Sequence, residues 1–177
     1  MTPSLKYLAH YSEGVQTQVR ELISSDKLGD LLLKKYSNIH NIRNDKALFD
    51  YVMELKNEFL RGADPLSKVA FDSKLKVIQH ALGTHTTVSR VQGNKLKSKR
   101  EIRVATLFKD VPIEFLRMIV VHELAHIKER DHDKAFYKLC SYMEPQYHQY
   151  ELDLRLYLTY QDLPKLEGCS ATLWLSS

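Results

Sequence analysis

The spacing of apolar residues divides the chain into a helical region, a strand-rich region and a second helical region. Over residues 3–62, apolar side chains recur every three or four positions, which is typical of one face of an amphipathic helix. Asn44 precedes one of these runs and is a candidate N-cap, and Gly62 marks the end of the run. We therefore predict helical structure over about residues 1–63.

The pattern between about residues 66 and 109 is that of short β-strands. Runs rich in β-branched residues alternate with polar turns, and the loop at Gln92–Lys95 contains a glycine. This pattern predicts a small, mainly antiparallel sheet. The candidate strands are Lys68–Phe71, Leu75–Gln79, Thr86–Val91 and Glu101–Phe108.

Helical spacing returns between about residues 111 and 161. Asp110 is a candidate cap for the first of these helices, with Pro112 in its first turn. A second helix is expected to begin near Asp131–Asp133 and a third after Pro145. The order of helices, sheet and helices, with no internal repeat or long linker, predicts a single α+β domain over residues 1–177.

Composition excludes several classes of protein. The apolar and charged fractions, 44% and 27%, are ordinary for a globular protein and unlike those of disordered chains. The net charge of +4 is too small to indicate nucleic-acid binding by itself. The N-terminus lacks the apolar core of a signal peptide, no apolar run is long enough to span a membrane, and Cys140 and Cys169 fall outside any CxxC pair. We therefore expect a cytoplasmic protein with reduced thiols and no membrane contact.

The motif HExxH occupies residues 122–126, within a predicted helix. Because residues i and i+4 share a helix face, His122 and His126 can direct ring nitrogens at one ion. Glu123 is rotated by about 100° from His122, so it can stand beside the ion without binding it. From there it can accept a proton from a water that the ion activates. The neighbouring residues 118–121 are apolar, which predicts a buried site.

A catalytic zinc ion usually takes three protein ligands and leaves one position for water. His132 follows His126 by six residues, and the resulting spacing HExxHxxxxxH also occurs in metzincins, which have glycine at the position of Glu129. We therefore predict one Zn²⁺ per chain, bound by His122, His126 and His132, with Glu123 as general base. Other candidates for the third ligand are Glu144, His148 and Glu151.

The segment VVHELAHIKERDHDKAFYKL, residues 120–139, resembles the YgjP-like metallopeptidases, small soluble zincins that look related to the WLM and SprT-like peptidases. The shared pattern is VVHELxH, a histidine six residues later, and an aromatic pair, here Phe136 and Tyr137. Residues 82–108 resemble the strand pair of that family, and the whole chain resembles its enterobacterial members. An Arg-Trp-Gly-Ser-Cys-like run found in many members is absent.

The resemblance implies a zincin-like fold and a metal-dependent hydrolase, and a metallopeptidase is our main functional prediction. In such an enzyme the strand before the active helix, here Glu101–Phe108, can pair with an extended substrate peptide. A second donor to the oxyanion is often present in such sites. The candidates are Tyr137, Tyr147, His148 and Arg103.

Residues 90–103 form a basic segment with a net charge of +5, six cations against Glu101. The simplest interpretation is a solvated hairpin tip, but such a segment also suits an anionic substrate. Two alternatives to the peptidase therefore stay open: a phosphoanhydride hydrolase acting on nucleoside triphosphates, and a non-catalytic zinc-stabilised binding module. The residues that would contact a nucleotide or nucleic acid are Lys95, Lys97, Lys99, Arg100 and Arg103.

Overall fold

The computed structural model of the protein describes residues 5–75, 83–92, 95–164 and 173–174, with residues 83–92 and 95–99 described by their backbone alone. The N-terminal region is helical, as predicted. After a 3-10 turn at Lys6–Leu8 come helices α1 (Glu13–Ser24), α2 (Leu28–Lys35) and α3 (Asp45–Phe59). Asn44 caps α3, because its side-chain oxygen accepts a hydrogen bond of 2.9 Å from the amide of Ala47.

The described strands form one three-stranded sheet. They are β1 (Leu66–Asp72), β2 (Gly83–Gln92) and β3 (Lys95–Ala105), in the order β1-β3-β2. β2 and β3 are antiparallel, whereas β1 runs parallel to β3. The sheet is therefore mixed rather than mainly antiparallel. β3 lies between β1 and β2. It runs antiparallel to β2, the strand before it in the chain, and therefore parallel to β1.

Two predicted boundaries in this region were wrong. The strand expected to reach Phe108 ends at Ala105, and Thr106–Lys109 form a 3-10 turn that buries the Phe108 ring completely. Asp110 does not cap the next helix, because its carboxylate accepts a hydrogen bond of 2.9 Å from Arg43. The candidate strand Leu75–Gln79 lies outside the described residues apart from Leu75.

Three helices follow, α4 (Ile113–Ala125), α5 (Lys134–Met143) and α6 (Tyr147–Gln161). α4 is mostly apolar, and its side chains at 118–121 are fully buried, which is typical of a helix in the centre of a core. It contacts α3, α5, α6 and the sheet. The α+β class with a helical N-terminal part, a small sheet and C-terminal helices is confirmed.

Two further expectations from the sequence concern membrane-spanning helices and the two cysteines. Within the described part of the chain, every helix is too short or too polar to cross a membrane. Cys140 is buried in α5, and Cys169 lies outside the described residues.

Candidate metal centre

The three histidines predicted to bind metal lie together in the structure. The Nε2 atom of His132 is 3.0 Å from Nε2 of His126 and 3.1 Å from Nε2 of His122. Three nitrogen ligands of one tetrahedral zinc ion, each about 2.1 Å from it, lie roughly 3.4 Å apart. The ring nitrogens therefore have nearly the spacing that one shared ion requires, and together they could hold one.

Local backbone geometry brings His132 back to the helix that carries the other two. His122 lies in the last turn of α4, and His126 is the C-cap residue of that helix. The chain then turns through hydrogen bonds from Lys128 and Glu129 to the carbonyl of Ala125. Among the described non-glycine residues, only Asp26 has a positive φ, so the turn at Glu129 needs no left-handed residue. This explains why glycine is not required where metzincins have it.

The second nitrogen of two of these rings has a hydrogen-bonding partner that orients the ring. His126 Nδ1 is 3.0 Å from the carbonyl oxygen of Glu129, and His122 Nδ1 is 2.7 Å from the hydroxyl of Tyr147. A carbonyl oxygen only accepts, so Nδ1 of His126 must carry the hydrogen, and Nε2 keeps the lone pair that a metal needs.

Burial and the neighbouring histidines keep the rings of His122 and His126 uncharged. Burial, followed by the neighbouring His126 and His132, lowers the pKa of His122 to about 3. Burial also lowers the pKa of His126. Neutral imidazole is the form that binds metals, so the site is ready to bind a cation near neutral pH.

The side chain of Glu123, the residue after His122, is buried, with 1% of the residue exposed. Neither carboxylate oxygen has a hydrogen-bonding partner among the described residues, and burial raises the pKa of this group to about 8. A buried, unpartnered carboxylate is costly unless a cation or a bound water compensates it. Together with the three histidine nitrogens, this group fits a site built around a divalent ion.

Phe136 explains the aromatic pair noted in the sequence. Its ring is fully buried and lies 4.9 Å from the ring of His122, 4.6 Å from that of His126 and 4.8 Å from that of His132, centroid to centroid. One side chain of α5 therefore packs against all three imidazoles and limits their movement.

The other candidates for the third ligand are engaged elsewhere. Glu144 pairs with Arg117, and Glu151 pairs with Arg155 at 2.9 Å. The ring of His148 lies against Tyr137, at 5.5 Å between centroids. Within the described part of the chain, the three predicted histidines are the only group of this kind that could share an ion.

Two of the four candidate oxyanion donors also have other partners. The Tyr147 hydroxyl lies at His122 and interacts with the Cys140 thiol. Arg103 forms ion pairs with Asp72 at 2.9 Å and with Glu101 at 3.5 Å. The candidates left near the histidines are therefore Tyr137 and His148. No local pattern predicts the Tyr147–His122 contact, because it joins residues 25 positions apart.

The predicted anion-binding residues divide into two groups. Arg100 forms an ion pair of 2.9 Å with Asp64 and donates a hydrogen bond of 2.6 Å to the carbonyl of Ile127, so it ties β3 to the end of α4. Arg103 is paired as described above. The side chains of Lys95, Lys97 and Lys99 lie outside the described residues.

The strand predicted to pair with a substrate peptide is the central strand of the sheet. Residues 100–105 of β3 pair with β1 on one side, and residues 95–104 pair with β2 on the other. Both edges of this strand are occupied over residues 100–104, so an extended peptide cannot be added there.

Comparison with known proteins changes the functional prediction. A UTP pyrophosphatase of Escherichia coli (strain K12) is 59% identical to the chain over 156 residues, which is 88% of this chain and 93% of that protein. The metallopeptidase prediction is contradicted by this relative, whose name describes action on a nucleotide. The alternative, a phosphoanhydride hydrolase, agrees with it. No solved structure matches the chain.

The family comparison covers the sheet and the candidate metal centre. The model of the YgjP-like metallopeptidase domain matches residues 66–157, a range that contains all three histidines and Glu123. The family match spans more than half of the chain, and the similarity to the bacterial relative covers most of this chain. The chain belongs to the YgjP-like family.

Proposed function

We propose that the protein is a metal-dependent hydrolase that converts a nucleoside triphosphate, UTP in particular, into the monophosphate and pyrophosphate. The observation that carries this proposal is the 59% identity, over 88% of the chain, to a UTP pyrophosphatase. We also propose that residues 1–177 act as one domain, with the reaction at the end of α4.

The metal would be held by His122, His126 and His132. We propose Zn²⁺, because three neutral imidazoles are a common donor set for catalytic zinc. A bound divalent ion would act as a Lewis acid towards phosphate oxygens and lower the pKa of water. The proposal is supported by the spacing of the three Nε2 atoms and by the hydrogen bonds that fix the Nδ1 atoms of His122 and His126.

Glu123 would serve as the general base. Its carboxylate follows a proposed ligand directly in the chain and has no competing hydrogen-bond donor among the described groups. An oxygen of this carboxylate accepts a proton from the attacking water as the water oxygen forms a bond to the α-phosphorus. The bond from that phosphorus to the bridging oxygen breaks, and pyrophosphate leaves with the electron pair.

The test compares the Zn²⁺-loaded protein with its Glu123→Gln variant, using UTP as substrate and pyrophosphate release as the readout. We expect the variant to keep about one equivalent of zinc and to lose roughly 10²- to 10⁴-fold in kcat, because the base is not a ligand. Glu114→Gln is the matched control, since Glu114 is a partly exposed carboxylate in the first turn of the same helix.

Two outcomes would contradict the proposal. One is pyrophosphate release that continues at the wild-type rate in Glu123→Gln or in metal-free protein. The other is a zinc-loaded wild-type protein that leaves UTP intact. Elemental analysis of both variants excludes a trivial loss of metal.

A further inference from the structure

A row of aromatic rings extends from the candidate metal centre towards solvent. The Tyr137 ring lies 6.5 Å from the His132 ring and 5.5 Å from the His148 ring, and its planes are tilted from theirs by 32° and 37°. His148 is exposed and Tyr137 is partly exposed, in contrast to Phe136 and Tyr147 in the core. We refer to the rings of Tyr137 and His148 as the aromatic surface.

Tyr137 packs against the core with part of its ring, whereas His148 is exposed. The inward face of α5 is provided by Phe136, Cys140 and Met143, all of which are buried. α6 begins with the buried Tyr147, and His148 follows it on the solvent side. Two adjacent, accessible rings beside a site for chemistry on nucleotides are suited to a planar ligand.

The charges around the aromatic surface also favour an uncharged ligand there. Glu151, one helical turn after His148, is paired with Arg155 at 2.9 Å, so the two charges largely offset each other. Phosphate groups are expected at the cation, on the side of His132. The distance of 6.5 Å between the Tyr137 and His132 rings is similar to the distance that a ribose spans between its phosphate and its base.

We propose that the aromatic surface binds the nucleobase of the substrate by stacking, which would make Tyr137 and His148 substrate-binding residues. This inference rests on the proposed function, because it places the triphosphate at the metal centre. Stacking of a base on an aromatic side chain contributes enough to change affinity by about 5- to 150-fold. In base binding the ring of Tyr137 is the group that acts, and the hydroxyl is not required for stacking.

The test separates the base from the phosphates by using the two reaction products as inhibitors. UMP carries the base and pyrophosphate does not. For Tyr137→Ala and His148→Ala, we expect the inhibition constant of UMP to rise about tenfold and that of pyrophosphate to change less than twofold. Tyr137→Phe should keep the wild-type inhibition constant for UMP, because it keeps the ring. Tyr142→Ala is the matched control, since Tyr142 is a 66% exposed tyrosine of α5 that contacts Phe59 instead.

Direct binding of UMP to the zinc-loaded protein, measured by calorimetry, keeps the inference testable if the wild type does not hydrolyse UTP. UMP binding that is unchanged in both alanine variants would overturn the inference. So would equal losses for UMP and pyrophosphate, which would indicate general damage to the site. If Tyr137→Phe loses as much UMP affinity as Tyr137→Ala, the hydroxyl is the acting group and stacking is refuted. His148→Ala decides the question if Tyr137→Ala does not fold.

Discussion

The hydroxyl of Tyr147 and the carbonyl of Glu129 have equivalent places, each next to the Nδ1 atom of a histidine. Partners of this kind fix the tautomer and the ring orientation of a metal ligand. They differ in origin, because one belongs to a side chain of α6 and the other to the main chain after α4. Only the first can be removed by a substitution.

We expect Tyr147→Phe to weaken zinc binding by about 10- to 100-fold, which is the typical effect of losing such a partner. The phenyl ring fills the same buried volume, so the fold should persist. Competition with a chromophoric chelator measures the affinity, and Tyr142→Phe is the control on an exposed tyrosine. Equal affinities of Tyr147→Phe and wild type would show that the hydroxyl does not orient His122.

His40 gives a prediction about pH. Its ring is buried, with Nε2 2.7 Å from the Phe108 carbonyl and Nδ1 accepting a hydrogen bond from the amide of Ile42. Burial is the largest cause that lowers the pKa of His40 below its usual 6.5. As the pH falls through about 6.5, the unfolded chain binds a proton that the folded chain does not, so the free energy of unfolding decreases.

Chemical denaturation at several pH values between 7 and 5 tests this prediction. His40→Asn removes the titrating group, so its free energy of unfolding should decrease less over this range than that of the wild type. The control is His10→Asn, the same exchange at an exposed position. Parallel pH profiles for wild type and His40→Asn would refute the prediction.

At the scale of elements, the loop between α4 and α5 holds the third proposed ligand. Asp133 caps α5, because its side chain accepts hydrogen bonds of 2.9 and 3.0 Å from the amides of Ala135 and Phe136. His132 is the residue before this cap, and Phe136 packs on all three histidine rings. The start of α5 and the metal centre therefore depend on each other.

Asp133→Ala should lower the free energy of unfolding by about 1 kcal/mol through loss of the cap and should also weaken zinc binding. Asp133→Asn keeps an oxygen acceptor and should retain most of both properties. Thermal unfolding and chelator competition provide the two readouts. If Asp133→Ala binds zinc as tightly as the wild type, the metal site does not depend on the helix cap.

The elements that sequence reasoning predicted well are those with local signals. The spacing of His122 and His126 defines a helix face, and Asn44 and the Asp131–Asp133 segment indicate helix starts through short-range hydrogen bonds. Asp110 is the same type of capping residue, but its carboxylate accepts a hydrogen bond from Arg43, which lies 67 residues away in the chain. Local sequence patterns cannot predict contacts between residues so far apart in the chain.

At the scale of the whole molecule, the same distinction explains the sheet. Alternation predicts a strand at residues 101–105 but not its neighbours, and the parallel partner β1 lies more than 30 residues earlier in the chain. The central place of β3 means that this strand, which was predicted to pair with a substrate peptide, has no free edge over residues 100–104. The strand order depends on contacts between distant segments, which the sequence pattern did not provide.

Metal removal should affect the stability of the whole protein, because the proposed ligands join α4 to the loop before α5. A ligand at 1,000 times its Kd stabilises the native state by about 4 kcal/mol, which corresponds to roughly 10 °C in Tm for a chain of this size. We expect a chelator to lower the Tm of the wild type by about this amount. His126→Ala should have a low Tm that the chelator does not change. A wild-type Tm that is independent of zinc and chelator would argue against a bound metal.

The main-chain hydrogen bond to His126 has a consequence for variation and for engineering. Every amino acid supplies the same carbonyl, so exchange of the side chain at position 129 leaves this bond intact, whereas few residues can replace the hydroxyl of Tyr147. We expect natural variants to drift freely at position 129 and to be restricted at position 147. Position 129 is therefore the place where a designer can change the charge at the rim of the site while the histidine keeps its tautomer.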